Sequence, residues 1–501
     1  MGGRIKSSFF VMAAMASLAF TGCNGVGPMS TSPTSTPNPN PTPNPGPTSA
    51  TGEWTWVSGS DIVNQQGSYG TLGVAAPNNV PGARQEAVAW TDAAGNLWLF
   101  GGAAAPVGGG CNPYDALCWS GTNSFFNDLW KFDGNDWTWM GGSDNTDQPG
   151  TYGVQGVAAP ANAPGARFGA MGWRDVSGNL WLFGGTGYDS AGNAGPLNDL
   201  WKYSGGQWTW VGGSNLINQP GKYGTLGTAA ASNFPGARSN AVALADASGN
   251  FWLFGGTGCD STQNCGGALN DLWMYKGGQW TWLSGTNVSF PAQPGVYGTE
   301  GTASPGNHPG ARYSASGWMD ASGNLWIFGG IGYNTSYANL AELNDLCEYS
   351  GGQWTWMSGY DTLIDQLGTY GTQGTAAPGN IPGSRDSGMS WTTADGSLWF
   401  FGGEGFGETW QGTAPFFNDL WKFSGSEGTW VVGSGVGGQW GKYGTLGTPA
   451  AGNVAGARMN AATWTDAHGN LWLFGGYGID STGAAGYLND LWEYQPQKAI
   501  E

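Results

Sequence analysis

The stretch 167–210 reads RFGAMGWRDVSGNLWLFGGTGYDSAGNAGPLNDLWKYSGGQWTW. Phe168–Arg174 and Asn179–Phe183 are short runs of apolar and aromatic residues on either side of Asp175-Val176-Ser177-Gly178, a tight-turn composition. Asp199–Tyr203 and Trp208–Val211 flank a second such turn, Ser204-Gly205-Gly206-Gln207. The stretch therefore predicts four short strands, A to D, with brief A–B and C–D turns. No run has helical period or helix caps, so the unit is all-β.

The same composite recurs along the chain. Asn-Asp-Leu-Trp or a close variant starts at Asn127, Asn198, Asn270, Asn344, Asn418 and Asn489, in steps of 71, 72, 74, 74 and 71. Each copy follows a Gly-Gly doublet, starting at Gly101, Gly184, Gly255, Gly329, Gly402 and Gly475, and before each doublet stands a Gly-x-Arg. Four short strands repeated radially are the unit of a β-propeller. The sixth copy ends at Trp492-Glu493-Tyr494 without a Trp-Thr-Trp strand, whereas Trp54-Thr55-Trp56 precedes the first Gly-x-Arg. The N-terminal strand is thus expected to complete the last blade and close the ring, covering an otherwise open edge.

The arginine opening strand A, the Gly-Gly doublet closing strand B and the Tyr203-to-Trp208 spacing resemble the Kelch repeat, as found in the propeller of galactose oxidase. The resemblance covers about residues 53–495 and implies a six-bladed Kelch-type propeller. The units exceed the roughly 50 residues usual for Kelch, by an insert between D and the next A such as Gln219-Pro220-Gly221-Lys222-Tyr223-Gly224-Thr225.

Ahead of the repeats, Arg4 and Lys6 precede an apolar run to Phe20 and then Thr21-Gly22-Cys23. Residues 1–22 read as a secretory signal, too short to span a bilayer. The Cys23 context resembles a bacterial lipobox, although Phe20 stands where that pattern prefers Leu, and it implies a lipidated cysteine. Residues 23–52 form a linker rich in Pro, Ser, Thr and Asn, which reads as a semi-rigid tether. The propeller occupies 53–495 and a short tail 496–501. The expected location is the cell envelope, as an outer-membrane or cell-surface lipoprotein touching the membrane only through its lipid.

Composition narrows the partners. Gly 93 and Pro 27 supply turns, while Trp 30, Tyr 18 and Phe 21 supply more apolar surface than a disordered chain carries. A net charge of −18 argues against nucleic acid and anionic lipid. Cys111 with Cys118, and Cys259 with Cys265, form close pairs in Gly-rich insertions and are expected as disulfides in an oxidising compartment. Cys347 replaces a repeat tryptophan and is expected as a buried free thiol.

Every long insertion is a B–C loop or a D–A connection, so one face is elaborated, and loops on a rigid scaffold usually carry function. Of 30 tryptophans, 27 sit at repeat positions and read as packing. Trp119, Trp410 and Trp440 lie in the elaborated loops and are the candidate ligand-binding aromatics. Strand A is innermost in Kelch propellers, so the resemblance places Arg84, Arg167, Arg238, Arg312, Arg385 and Arg458 around the channel mouth. There they either pair with Asp128, Asp199, Asp271, Asp345, Asp419 and Asp490 or hold an anionic ligand.

Catalytic signals are sparse. The only histidines, His308 and His468, fall on opposite faces and cannot share a metal, so the copper radical chemistry of galactose oxidase is not expected, nor any cofactor or metal. Glu404 follows a Gly-Gly doublet, and Glu86 and Asp386 lie just inside strand A. These three are the acid–base candidates if the protein is an enzyme acting on acidic carbohydrates. The favoured reading is a monomeric binding module for a glycan or an envelope protein.

Overall fold

A computed structural model describes residues 52–104, 124–335, 339–393, 396–410 and 415–496. The signal segment, Cys23, the linker up to residue 51, Cys111, Cys118, Trp119 and the tail from 497 lie outside the described residues. Among the described residues there is no helix, and the strands form many small antiparallel sheets in a propeller-like arrangement. In the second unit Met171–Arg174, Leu180–Tyr188, Ala194–Ser204 and Gln207–Gly212 pair in sequence order, as strands A to D. Five such units follow one another along the chain. In a sixth sheet Glu53–Ser58 pairs antiparallel with Leu491–Gln495, Trp54 lying opposite Tyr494.

Neighbouring units pack through their inner strands. Val88–Thr91 touches Met171–Arg174, and the sequence of contacts runs on through Val242–Ala245, Ser316–Met319, Met389–Thr392 and Ala462–Thr465 back to Val88–Thr91. Indole donors stitch several of these junctions: Trp90 Nε1 donates to the Trp181 carbonyl at 3.0 Å, and Trp464 Nε1 to that of Trp98 at 2.9 Å.

Each unit carries a buried polar node. Arg84 donates to both oxygens of Asp128 at 2.6 and 2.8 Å, and Tyr69 Oη and Trp130 Nε1 each donate to Asp128 Oδ2 at 2.7 Å. Equivalent pairs join Arg167–Asp199, Arg238–Asp271, Arg312–Asp345, Arg385–Asp419 and Arg458–Asp490. A charge can be buried when pairing and further hydrogen bonds satisfy it, as here. Cys347 stands in for the tryptophan of the fourth node, buried as a free thiol with Sγ 3.6 Å from Asp345 Oδ2.

The insert that lengthens every repeat has a structural task. Its tyrosine is the one in the node. Its Ala76 bridges Trp137 on the outer strand of the following unit, and Gly73 N donates to the Trp139 carbonyl at 2.8 Å. The same bridge recurs at Ala159–Trp208, Ala230–Trp280, Ser304–Trp354, Ala377–Gly428 and Ala450–Trp54. An exposed outer strand invites pairing with other chains, and these inserts cover it.

Candidate functional site

Two residues after each node arginine the chain enters the left-handed region: Glu86, Gly169, Asn240, Ser314, Ser387 and Asn460 have φ between 53° and 59°. Their amides form a cycle. Glu86 N donates to the Asn460 carbonyl, Asn460 to Ser387, Ser387 to Ser314, Ser314 to Asn240, Asn240 to Gly169, and Gly169 to Glu86, at 2.9–3.1 Å. Beyond this amide ring, along the inner strands toward the A–B turns, lies a cavity of about 380 Å³ lined by Leu244, Met319, Ser390, Trp391, Thr463 and Trp464.

On the opposite side the ring faces the B–C loops, and six cross-strand triplets line the mouth. The residue after each arginine pairs with the residue after the Gly-Gly doublet, which pairs with one from the returning C segment. The triplets are Gln85–Ala103–Phe125, Phe168–Thr186–Pro196, Ser239–Thr257–Ala268, Tyr313–Ile331–Glu342, Asp386–Glu404–Phe416 and Met459–Tyr477–Tyr487. Carboxylates occur only in the fourth and fifth.

These carboxylates perturb one another. Burial raises the Glu404 pKa to about 8, and the neighbouring Asp386 adds to the shift. Glu342 also rises to about 8, through burial and then Asp386, Asp365 and Glu404. Asp386, 6% exposed, accepts from Ser387 Oγ at 2.6 Å, but burial still lifts it to about 6. Burial carries Glu86 to about 7, against the nearby Asn240 and with the help of Asp386. Tyr313 is pushed to about 12 by burial and then by Asp386. Of the three carboxylates singled out in the sequence, Asp386 is therefore the electrostatic neighbour of both glutamates, and it lies directly opposite Glu404 on paired strands.

Glu342 joins them without any sequence signal. The B–C loops differ in length, so only the register that sets it opposite Ile331 brings it to the mouth.

Of the two expectations for the arginines, the structure shows the pairing with aspartate. All six side chains are fully buried, each guanidinium turned to its own aspartate and to backbone carbonyls. A ligand at the mouth cannot reach them.

Trp410 is 63% exposed and lies nearly parallel to Phe406, ring centroids 5.3 Å apart. Trp440 is also largely exposed, in place of the proline found at Pro149, Pro220 and Pro294, with its indole against Gly483. The two segments are joined: Glu408 N donates to the Gly435 carbonyl and Gly438 N to that of Phe416, both at 2.8 Å. The aromatic loops are thus tied to the strand position opposite Glu404.

Cys259 and Cys265 are joined by a disulfide. Asp189 receives backbone N–H groups from Ala191, Asn193 and Ile217, so its oxygens are already occupied by donors. His308 sits in a D–A insert and His468 in an A–B turn.

No known family matches the chain by sequence, and no curated protein matches it. Among solved structures, one described as the structure of YjhT is similar at 14% identity and a TM-score of 0.43, over 82% of this chain and 95% of that one. A fungal alcohol oxidase of the AA5 family in complex with copper is similar at 14% identity and a TM-score of 0.41, over 86% of this chain and 76% of that one.

Proposed function

We propose that this chain is a six-bladed Kelch-type propeller, closed by its N-terminal strand, exported and anchored through Cys23, that binds a carbohydrate on its elaborated face. The cyclic order of inner-strand contacts, the amide ring and the pairing of Glu53–Ser58 with Leu491–Gln495 support the closed ring. The anchor rests on the sequence around Cys23 and on the tether behind it.

One observation carries the binding role: in a six-fold repeat, the departures gather at one place. Asp386, Glu404 and Glu342 are the carboxylates of the six triplets and fall in two consecutive ones, and Trp410 and Trp440 stand exposed on the loops tied to them. Sugars offer C–H faces to aromatic rings and hydroxyl edges to carboxyl groups, and these residues supply both. Glycan binding by residues 53–501 is expected to fall at least about tenfold in Trp410→Ala, corresponding to about 1.4 kcal/mol, with the sugar recovered unchanged. Undiminished binding in that variant refutes the assignment.

A second reading, acid–base catalysis, is favoured by the pairing of Asp386 with Glu404. Two facing carboxyls with pKa values pushed apart, to about 6 and about 8, suit a base and an acid. Turnover of the bound sugar, abolished by Glu404→Gln with binding retained, would make the protein an enzyme.

A further inference from the structure

The amide ring is the floor of the mouth. Its six N–H groups are paired with its own carbonyls, so it offers no backbone donor to a ligand. Any donor or charge at the axis must come from side chains. Five of the six ring residues are not glycine, although their φ values favour glycine, and each such residue costs on the order of 1 kcal/mol. The side chains Glu86, Asn240, Ser314, Ser387 and Asn460 are kept despite that cost.

Gly169 is the exception, and its missing side chain has a use. A Cβ there would overlap the Asn240 carboxamide and meet Glu86 Oε2, so both groups lean over the gap it leaves. Asn460 Nδ2 donates to Glu86 Oε1 at 3.3 Å. Glu86 Oε2 is buried beside the Asn240 carboxamide, whose contact works against the rise that burial gives the carboxyl pKa, and among the described residues it makes no hydrogen bond of ordinary geometry. The adjacent Gln85, 6% exposed, likewise has a sealed and unpartnered Oε1. A buried acceptor left without a donor costs about 1–3 kcal/mol. Among the described residues these acceptors have no cation beside them, and Asp386 is near enough to Glu86 to raise its pKa. The node arginines supply none, being locked on their own aspartates. The other described cations stand elsewhere: Arg174 ends an A strand at its turn, Lys131, Lys202, Lys276 and Lys422 lie on C strands, and Lys222 and Lys442 in the inserts.

We propose that the mouth receives a protonated amino group over Glu86, which makes its ligand an amino sugar rather than a neutral or acidic one. This deepens the carbohydrate reading above and rests on it. An ammonium group brings three donors and one positive charge to a site rich in acceptors, and charge-assisted hydrogen bonds are roughly twice as strong as neutral ones. A hydroxyl in its place leaves the carboxylates uncompensated, and a sugar carboxylate adds to their repulsion.

The test is calorimetric titration of residues 53–501 with a glucosamine tetramer and with its fully N-acetylated counterpart, which differ only in the amine. The amine form is expected to bind at least about tenfold more tightly, and Glu86→Gly and Glu404→Gln each to bring the two affinities within about threefold. Glu86→Gly removes the carboxylate while relieving the left-handed backbone, so its melting temperature should not fall; Glu404→Gln is near-isosteric. Equal affinities in the unaltered protein overturn the amine preference and leave the carbohydrate reading standing. A preference that survives in both variants overturns the role of Glu86 and its neighbours. Binding of neither tetramer or of any other glycan refutes the carbohydrate reading, and this inference with it.

Discussion

Five outer strands carry a tryptophan that packs on a phenylalanine of the preceding unit. Trp54 meets Phe401, Trp137 meets Phe474, Trp208 meets Phe100, Trp280 meets Phe183 and Trp354 meets Phe254, with ring centroids 5.2–5.5 Å apart. The fifth unit has Gly428 there. Its phenylalanine partner, Phe328, instead lies 5.3 Å from Phe400, which occupies the strand position of Leu99, Leu182, Leu253, Ile327 and Leu473. Phe400 is 1% exposed and fills the room the absent indole leaves. Phe400→Leu should open a void and cost about 1–2 kcal/mol, below the 3–5 expected for truncation to alanine. Gly428→Trp alone should overpack, costing about 1–3 kcal/mol, because the glycine lies close against the Asn380 carbonyl. Together the two changes recreate the arrangement of the other five units. The double variant should therefore be at least about 1 kcal/mol more stable than the sum of the single effects, well outside the 0.3–0.5 kcal/mol scatter of independent sites. Urea unfolding followed by far-UV circular dichroism measures all four proteins. Additivity within that scatter would show that Phe400 and Gly428 do not compensate each other.

Replacing Asp271 by Asn leaves Arg238 buried without its counter-charge and should cost about 3–5 kcal/mol in the same unfolding assay; a loss under 1 kcal/mol would mean the node relaxes or admits water. Deleting Glu53–Ser58 uncovers the Leu491–Gln495 edge and should lower the melting temperature sharply, and an unchanged value would defeat the closing role of that strand. Glu342, Glu404 and Asp386 have raised pKa values in the folded state, so between about pH 5 and 8 the folded chain holds protons that the unfolded chain has released. Their contribution to stability is present at low pH and is lost as pH rises through these values. A thermal-shift series should show a decline toward pH 8 that is shallower in Glu342→Gln/Glu404→Gln, and the reading fails if the double variant follows the same curve. The A–B turn aspartates Asp92, Asp175, Asp246 and Asp320 act in the opposite sense: their lowered pKa values give stability that is lost as pH falls below the ordinary carboxylate range. Asp246→Ala should flatten the acid limb of the same series; an unaltered acid limb would count against the turn.

The four-strand unit was legible in the residues themselves. Turns of Gly, Ser and Asp, alternating aromatics and a period near seventy residues are local properties, and local hydrogen bonding and side-chain alternation follow from them directly. One arginine and one aspartate in every unit also point to pairing from the sequence alone. Glu86, Asp386 and Glu404 stood out as residues that break the repeat. What remained hidden depends on contacts between units. That the arginines are sealed, and so withdrawn from the mouth, is a matter of burial, which the packing of six sheets decides. Glu342 reaches the cluster only through strand register across a loop of variable length. The amide ring exists because six residues from distant parts of the chain meet at one axis. Sequence spacing specifies each of them in its own unit, but a hydrogen bond between neighbours hundreds of residues apart, such as Glu86 to Asn460, belongs to the tertiary structure alone.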